Sequence, residues 1–304
     1  MTFIIIPIYN ESKVIYNLLQ NEEFKKYKLI LVDDGSNESL SLSEITIPFY
    51  FLQHPKNLGQ GAALQTGMEF ARSLQADIVI HFDADGQHDP YDIERLIEPI
   101  ISNSADVVIG SRFLKKQNIN NSIISKIPFR KKLILQCARL IQFIYTGTML
   151  SDSQMGLRAI SGSALQSIKI TENRMAHAIE LIQIFRNKKL LIKEVPVNII
   201  YTEYSNSKGQ KLLNGLFIVV RLFINKLVSN IQLPAIFIAL LISIAMRLFN
   251  KDENLLFALI SFIFIYLFNI VWLLMIRKTK LRLISATQII RGEAIRKVKK
   301  LNYD

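Results

Sequence analysis

The sequence of 304 residues contains very little cysteine and histidine. Its single cysteine, Cys137, excludes an internal disulfide and a cysteine-based metal cluster. The four histidines show no metal-ligand spacing. A disulfide scaffold and a zinc site built from these residue types are therefore excluded.

Two common sequence signals are also missing. Residues 1–6 are apolar but carry no basic leader and end at Pro7, unlike a secretory signal peptide, so we expect the N-terminal part to lie in the cytoplasm. Gly59, Gly61 and Gly67 mark the start of a helix, but their spacing is not that of a dinucleotide-binding fingerprint. These glycines indicate close backbone packing instead.

The net charge is +12, and basic residues are concentrated after residue 276. A basic cluster that follows an apolar segment is typical of the cytoplasmic side of a membrane. We therefore expect a membrane as a partner, and no nucleic acid.

Two long apolar segments, 231–249 and 255–276, have the length needed to cross a bilayer. The turn between them has no cationic excess, which predicts a cell-membrane protein with two spans and with its N-terminal domain and C-terminus in the cytoplasm. The alternative is a pair of buried helices in a soluble domain. The predicted organisation is an N-terminal domain (1–210), an amphipathic interfacial helix (211–229), a transmembrane hairpin (230–277) and a basic tail (278–304). Residues 127–145 also have amphipathic character and could equally form an ordinary domain helix.

The first half of the chain alternates short apolar runs with helical patterns. This order predicts an α/β fold, a mostly parallel sheet with helices on both faces. The predicted strands are 3–8, 29–32, 49–52, 77–82 and 107–109, and the predicted helices are 11–19, 59–74 and one that begins at Pro90. Ligands bind such sheets beyond the carboxyl ends of the strands.

Polar clusters follow four of these strands. Asp83 and Asp85 flank one small residue, and two carboxylates this close disfavour ionisation unless a cation neutralises them. The pattern favours a hard divalent ion, with Gln87 as an added oxygen ligand; the alternative is an acidic turn that caps the helix at Pro90. The other clusters are Tyr9-Asn10-Glu11, Asp33-Asp34 and Ser111-Arg112. Asp33-Asp34 could be an Asx-type turn, or one of its carboxylates could accept hydrogen bonds from a ribose or a base.

Several ordered motifs together resemble the family 2 glycosyltransferases, and within them the dolichyl-phosphate mannose synthase-like, or polyprenyl-phosphate glycosyltransferase, group. The resemblance covers about residues 3–210. Its motifs are Pro7-Ile8-Tyr9-Asn10-Glu11, Val32-Asp33-Asp34-Gly35-Ser36, Asp83-Ala84-Asp85-Gly86-Gln87-His88-Asp89-Pro90 and Gly110-Ser111-Arg112. Asp152 and Gly156-Leu157-Arg158 resemble a later segment of the family, with Leu157 in place of the usual aromatic residue.

The resemblance implies a GT-A fold, an inverting sugar transfer and a role for each matched residue. Metal binding would fall to Asp83, Asp85 and Gln87, with Mg²⁺ or Mn²⁺ as the cofactor. Acceptor phosphate would be bound by Arg112 and Arg130, and Lys208 would face the donor diphosphate. Nucleotide-sugar binding would fall to Pro7, Tyr9, Glu11, Val32, Asp34, Asp83, Ala84 and Asp85. An arginine that the family often carries shortly before Lys208 is replaced here by Tyr201-Thr202-Glu203.

The implied reaction transfers one sugar from a nucleotide-diphosphate sugar to a polyprenyl phosphate. The resemblance implies that Glu180 occupies roughly the position where other family members place a general base. A lipid phosphate is already anionic and needs no such base, so we expect Glu180 to be structural. The alternatives are transfer to a diacylglycerol or lipid-linked glycan hydroxyl, which would need such a base, and a non-catalytic membrane scaffold. A homo-oligomer or a small membrane partner is compatible with the pattern.

Overall fold

The computed structural model describes residues 1–38, 40–114, 143, 147–152, 155–174, 176–200, 275 and 285–302, with Lys13 described by its backbone alone. Several predicted features lie outside these residues. They are Arg130, Lys208, nearly all of 127–145, the predicted interfacial helix 211–229 and both predicted membrane spans except Met275.

Strands and helices alternate through the first 111 residues, as the sequence predicts. The strands are β1 Thr2–Ile8, β2 Lys28–Asp33, β3 Phe49–Gln53, β4 Ile78–His81, β5 Val107–Ser111, β6 Arg158–Ser161, β7 Ile192–Pro196 and β8 Lys299–Leu301. The α-helices are α1 Ser12–Leu19, α2 Gln60–Ser73, α3 Ile93–Ile101, α4 Gly162–Ser167 and α5 His177–Asn187, and residues 285–296 are also helical. Short 3₁₀ turns occupy Glu22–Lys26, Leu42–Glu44 and Pro90–Asp92.

The described strands form one mixed sheet in the order β7-β5-β6-β4-β1-β2-β3-β8. Parallel pairing joins β1 to both β2 and β4, and also joins β2 to β3 and β5 to β7. Strand β6 runs antiparallel to β4 and β5, and β8 runs antiparallel to β3. From β1 the chain continues to β2 and β3 on one side and then returns to β4 on the other. The carboxyl ends of β1 and β4 therefore flank a topological switch point, where ligands of such sheets bind.

Small residues bring α2 close to the sheet. Gly67 lies against β1 so closely that a Cβ atom there would stand 2.4 Å from Ile5 Cγ2. The side chains of Ile4, Ile5 and Ile6 are fully buried. This packing fixes the first turn of α2 beside the carboxyl edge of the sheet.

The end of the chain folds back onto this sheet. We call residues 285–302 the C-terminal segment; its strand β8 pairs with β3, and Asn302 Nδ2 donates to Ile45 O at 2.6 Å. Thr287–Asp304 forms one compact unit with Met1–Val219. The second unit, Val220–Ala286, lies almost entirely outside the described residues. The predicted tail 278–304 thus contains a helical stretch and an edge strand.

The predicted localisation, a cell-membrane protein with two spans and with its catalytic domain and C-terminus in the cytoplasm, is wrong by the measure the structure offers. Within the described residues, no helix is both long enough and apolar enough to cross a membrane. The prediction rested on the apolar composition of 231–249 and 255–276, and composition alone does not establish a spanning helix.

Candidate active site

The two carboxylates that follow β4 are held in different ways. Asp83 Oδ1 accepts a hydrogen bond from Gln60 Nε2 at 2.7 Å, and Asp83 Oδ2 lies 3.3 Å from His88 Nε2. Asp85 Oδ1 accepts from the backbone N–H of Gln87 at 3.0 Å. Gln60 begins α2, so the close packing of that helix on β1 aims its side chain at Asp83.

Their electrostatic environments also differ. Burial alone would raise the pKa of Asp83, but the hydrogen bond with His88 and the nearby positive charges outweigh it and lower that pKa. Burial and the neighbouring charge of Asp83 raise the pKa of Asp85. Ionising the second carboxylate beside the first therefore costs free energy, and a divalent cation would remove this cost.

Gly156 packs directly against the Asp83 carboxylate. A Cβ atom on Gly156 would stand 1.8 Å from Asp83 Oδ2 and 2.5 Å from Asp83 Cγ. No side chain fits this position while Asp83 keeps its orientation. The glycine thus leaves the carboxylate the space that it occupies.

The residues present fit a Mg²⁺ or Mn²⁺ ion that is only partly enclosed by protein. The described residues contain no group of three or more acidic, histidine or cysteine side chains that could hold a metal alone. Mg²⁺ usually binds through one or two carboxylates and completes its shell with water and substrate phosphates. Asp83 and Asp85 supply two carboxylates, and Gln87 lies two residues further on.

The acidic pair at the end of β2 is engaged inside the protein. Asp34 Oδ1 accepts from Leu58 N at 3.0 Å and lies 2.7 Å from His54 Nδ1, while Oδ2 accepts from Gly59 N at 2.7 Å. Asp33 accepts from Ser36 N and Gln53 Nε2. These bonds fix the loop 54–59 that leads into α2. A direct contact between Asp34 and a nucleotide stays a prediction.

The turn after β1 is tied to the loop after β2. Asn10 N donates to Ser36 Oγ at 2.9 Å, and Asn37 N donates to Asn10 Oδ1 at 2.8 Å. Tyr9 is 40% exposed beside this contact, and Glu11 is the residue before α1. Among the other predicted nucleotide-binding residues, Pro7 and Val32 are register partners in β1 and β2, and the side chains of Val32 and Ala84 are buried.

Arg112, at the end of β5, is held in a two-pronged ion pair with Asp152. Its Nε donates to Asp152 Oδ2 at 2.7 Å and its Nη2 donates to Asp152 Oδ1 at 2.9 Å. Asp152 is buried, and its backbone N–H donates to Glu194 Oε1 at 3.1 Å. The pair fixes a guanidinium group at the same sheet edge as Asp83, because β5 and β4 run in the same direction on either side of β6.

Arg158 on β6 is a fully buried cation between these two sites. Its Cα is the register partner of His81, two residues before Asp83. Burial lowers the pKa of Arg158 to about 10, and the charges of Asp83 and Asp152 oppose this effect. Among the residues that the structure describes, its Nε and Nη1 atoms have no hydrogen-bond partner. Arg158 therefore acts on both acidic residues through its charge.

Glu180 on α5 binds a loop. Its carboxylate accepts from the backbone N–H groups of Thr171 and Glu172, at 3.0 Å and 2.8 Å, and from the Thr171 hydroxyl. That loop packs against the first turn of α2, since a Cβ on Gly61 would stand 2.1 Å from Glu172 O. Glu180 thus supports the helix that carries Gln60, which is the structural role we expect for it.

The segment after β7 crosses the turn that follows β4. Ile200 N donates to Gln87 O at 2.8 Å, and Asn198 Nδ2 donates to Asp89 Oδ2 at 3.2 Å. The chain therefore leaves the described residues at 200 beside the Asp83–Asp85 turn. Lys208 follows eight residues later, outside the described residues.

The sequence does not show how three residues support Asp83. Gln60 belongs to no motif and contacts Asp83 across 23 positions in sequence. Gly156 and Arg158 belong to the matched Gly156-Leu157-Arg158 segment, but the sequence does not show that Gly156 packs against the Asp83 carboxylate or that Arg158 is buried near it. Each of these contacts depends on tertiary packing. By contrast, His88 lies beside the acidic turn, where its position in the sequence puts it.

Comparisons with known proteins show the family of the chain. The sequence pattern described as "Glycosyl transferase family 2" matches residues 3–156. An uncharacterised protein of Methanocaldococcus jannaschii is 35% identical over 228 residues, covering 74% of this chain and 92% of the relative. The UDP-N-acetylglucosamine–dolichyl-phosphate N-acetylglucosaminyltransferase of Methanococcus voltae is 36% identical over 247 residues, covering 75% of this chain and 96% of the relative.

A solved structure shows the same fold. It is glucosyl-3-phosphoglycerate synthase of Mycobacterium tuberculosis, crystallised with Mn²⁺, UDP and phosphoglyceric acid. It superimposes with a TM-score of 0.51 at 15% identity, covering 72% of this chain and 78% of that one. The mixed α/β sheet is thus the GT-A fold that the sequence predicts. The chain belongs to glycosyl transferase family 2 and is a glycosyltransferase.

Proposed function

We propose that this chain transfers a single sugar from a nucleotide-diphosphate sugar to a polyprenyl phosphate, with inversion at the anomeric carbon. The proposal assigns Asp83 and Asp85, with Gln87, to a Mg²⁺ or Mn²⁺ ion and the donor diphosphate. Arg112 and Arg130 are assigned to the acceptor phosphate, and Lys208 to the departing diphosphate.

The observation that carries the proposal is the built environment of the Asp83 carboxylate. Its orientation at a switch point of the sheet is fixed by contacts with Gln60 and His88, and by Gly156, which has no side chain to displace it. The energetic cost of ionising Asp85 beside it supports a cation at this position. When bound, such an ion supplies positive charge that stabilises a leaving diphosphate.

Arg112 supports the assignment of an anionic acceptor. The two hydrogen bonds to Asp152 hold the guanidinium in one orientation before the acceptor binds, so little entropy is lost in orienting it. A guanidinium carries five N–H donors, more than the fork with Asp152 uses, and its charge strengthens hydrogen bonds to phosphate oxygens. An acceptor phosphate near Arg112 would lie at the same edge of the sheet as the donor near Asp83.

The proposed reaction is one displacement. An oxygen of the acceptor phosphate forms a bond to the anomeric carbon as the bond from that carbon to the donor diphosphate breaks. The nucleoside diphosphate leaves with the bonding electron pair, and the configuration of the sugar is inverted. No proton has to leave the acceptor, so no protein base is required.

Glu180 supports a phosphate acceptor over a hydroxyl acceptor. A hydroxyl acceptor would need a base, and Glu180 is the residue near the position where such a base is expected. Its carboxylate already accepts two backbone N–H groups and one hydroxyl group. The name of the Methanococcus voltae relative, a dolichyl-phosphate N-acetylglucosaminyltransferase, is a second reason to test lipid phosphates first.

The test is a panel of nucleotide sugars, with UDP-N-acetylglucosamine first, incubated with the purified full chain, Mn²⁺ and one polyprenyl phosphate. The glycolipid is detected by mass spectrometry and the released nucleoside diphosphate by a coupled assay. We expect one donor to give a polyprenyl-phosphate sugar with equal release of nucleoside diphosphate.

A parallel reaction with diacylglycerol serves as the control for the acceptor. Product from diacylglycerol alone would contradict the proposal and favour a hydroxyl acceptor. Absence of glycolipid with every donor would contradict it as well.

A further inference from the structure

The C-terminal segment lines a cavity at the carboxyl edge of the sheet, on the side of β1 away from β4. The cavity has a volume of about 690 Å³, within the usual range of small-molecule sites. One wall consists of Tyr9, the loop after β2 from Gly35 to Asn37, and the residues after β3. The other wall comes from the C-terminal segment, through Glu293, Ala294, Lys297 and Lys299.

This wall is a packed part of the catalytic unit. The pairing of β8 with β3 places Lys299 opposite Phe51, which also lines the cavity. Ala294 and Arg291 are buried, and Arg291 Nη2 lies 3.8 Å from Glu69 Oε1 on α2. The lysine side chains are therefore carried by a backbone of fixed position.

The cavity lies where the nucleoside of a donor bound at Asp83 would lie. The donor diphosphate is assigned to the end of β4, and the cavity opens beside the ends of β1 and β2. Neighbouring strands are about 4.8 Å apart, so the ends of β4 and β2 are separated by roughly 10 Å. A nucleoside diphosphate can bridge that separation, with the exposed Tyr9 between its two ends.

The positive charge of the lining favours a nucleotide whose nucleoside lies in the cavity and whose diphosphate lies nearby at the end of β4. Among the described residues that line the cavity, the basic side chains are Lys56, Lys297 and Lys299, and the acidic one is Glu293. A lysine ammonium attracts phosphate and donates hydrogen bonds to the carbonyl and hydroxyl oxygens of a base or ribose.

We propose that the C-terminal segment forms one wall of the donor nucleotide site, and that Lys297 and Lys299 in it are affinity-determining residues for the nucleoside diphosphate. This inference rests on the proposed function for the position of the donor. It extends the donor site to residues far beyond the matched family region, which ends at residue 156.

The test compares two double variants of the full chain that remove the same charge from the same segment. Lys297→Ala/Lys299→Ala removes both lysine side chains from the cavity wall. Arg296→Ala/Lys300→Ala is the matched control, because neither residue lines the cavity and Lys300 points to the opposite face of β8 from Lys299. The dissociation constants of UDP and GDP are measured by calorimetry with Mn²⁺, together with the melting temperature.

For the nucleotide that the wild-type chain binds more tightly, we expect the cavity variant to raise the dissociation constant about tenfold and the control variant to change it less than about twofold. The difference should shrink at high salt because the lysines are exposed. Lys297→Arg/Lys299→Arg should restore most of the affinity, which a merely structural role would not explain. Equal dissociation constants for the cavity and control variants would overturn the inference.

Sugar transfer separates this inference from the proposed function. We expect the cavity variant to raise the donor KM about tenfold with kcat and the acceptor KM little changed, since both lysines lie away from the Asp83 turn. Transfer to polyprenyl phosphate with an unchanged donor KM would overturn the inference and leave the function standing. Binding of UDP or GDP that depends on the two lysines, without any transfer to polyprenyl phosphate, would support the inference and contradict the proposed function.

Discussion

Replacing Gly156 by alanine tests whether the orientation of Asp83 controls the reaction. The added Cβ would stand 1.8 Å from Asp83 Oδ2, well inside any allowed contact, so the carboxylate has to move by roughly 1 Å or more. The obstructing atom is the end of a side chain, and rotation of Asp83 relieves the overlap at the expense of its bonds to Gln60 and His88. The fold can therefore survive while the site does not.

The expected magnitudes follow from that displacement. A misplacement of about 1 Å costs on the order of 100-fold in rate, equal to about 2.7 kcal/mol. Crowding a packed position lowers the free energy of unfolding by about 1–3 kcal/mol, which leaves a typical domain folded. We expect kcat/KM to fall at least about 100-fold in a chain that still melts cooperatively.

The assay is the initial rate of nucleoside diphosphate release with saturating acceptor, measured over a titration of Mn²⁺. Gly292→Ala is the matched control, because a Cβ on that glycine meets no atom within 4 Å. Its rate should equal that of the wild type. Turnover of Gly156→Ala within about threefold of wild type, at the same Mn²⁺ requirement, would refute the reasoning.

Three further predictions concern residues around the site. Glu180→Gln should lower the free energy of unfolding by about 1–3 kcal/mol, because it weakens the bonds to the 171–172 loop, yet keep kcat within about tenfold; complete loss of turnover in a folded variant would instead identify a base. Asp152→Asn should raise the acceptor KM and reduce stability by about 3 kcal/mol in chemical denaturation, since it removes the buried negative charge that pairs with Arg112. Glu22→Gln, which breaks an exposed pair with Lys25, should change stability by less than about 0.5 kcal/mol. Asn302→Ala should lower the melting temperature and raise the donor KM together, because it weakens the anchor of β8 beside the cavity; an unchanged donor KM in a destabilised chain would count against that coupling.

The strands of the first half are predictable from the sequence because their physics is local. β1 to β5 are short apolar runs that end in polar residues, and Asp83, Asp34 and Arg112 lie at those ends as predicted. The connections between them are α-helices, except for the segment with a 3₁₀ turn between β2 and β3, and such connections favour parallel strands.

β6 and β8 are not predictable in this way. β6 begins with a charged residue, Arg158, that is buried because Asp83 and Asp152 lie near it in space. β8 is a three-residue strand in a basic stretch, and its pairing with β3 depends on a contact across some 250 residues. From the sequence alone this stretch is predicted to be a basic tail, because basic residues after an apolar segment are typical of membrane proteins.

The sequence predicts the acidic residues of the site but not the residues that hold them in position. Two carboxylates that flank one residue are close in space whatever the fold, and their mutual repulsion indicates a cation. The partners that orient Asp83, namely Gln60 and Gly156, come from α2 and from the segment before β6, and only the folded sheet brings them together. The hydrogen bonds that Asp34 accepts are not predictable from the sequence either, because the backbone N–H groups of Leu58 and Gly59 donate them from a different loop.

The measurement that tests the central claim most directly is sugar transfer to polyprenyl phosphate during metal removal and restoration, in the wild-type chain and in Asp85→Ala. With the donor found by the panel, turnover of the wild type should disappear with excess chelator and return when Mn²⁺ or Mg²⁺ is added, whereas Asp85→Ala should stay at least about 100-fold slower at every metal concentration. Turnover that persists in saturating chelator, or an Asp85→Ala variant as fast as the wild type, would contradict the account.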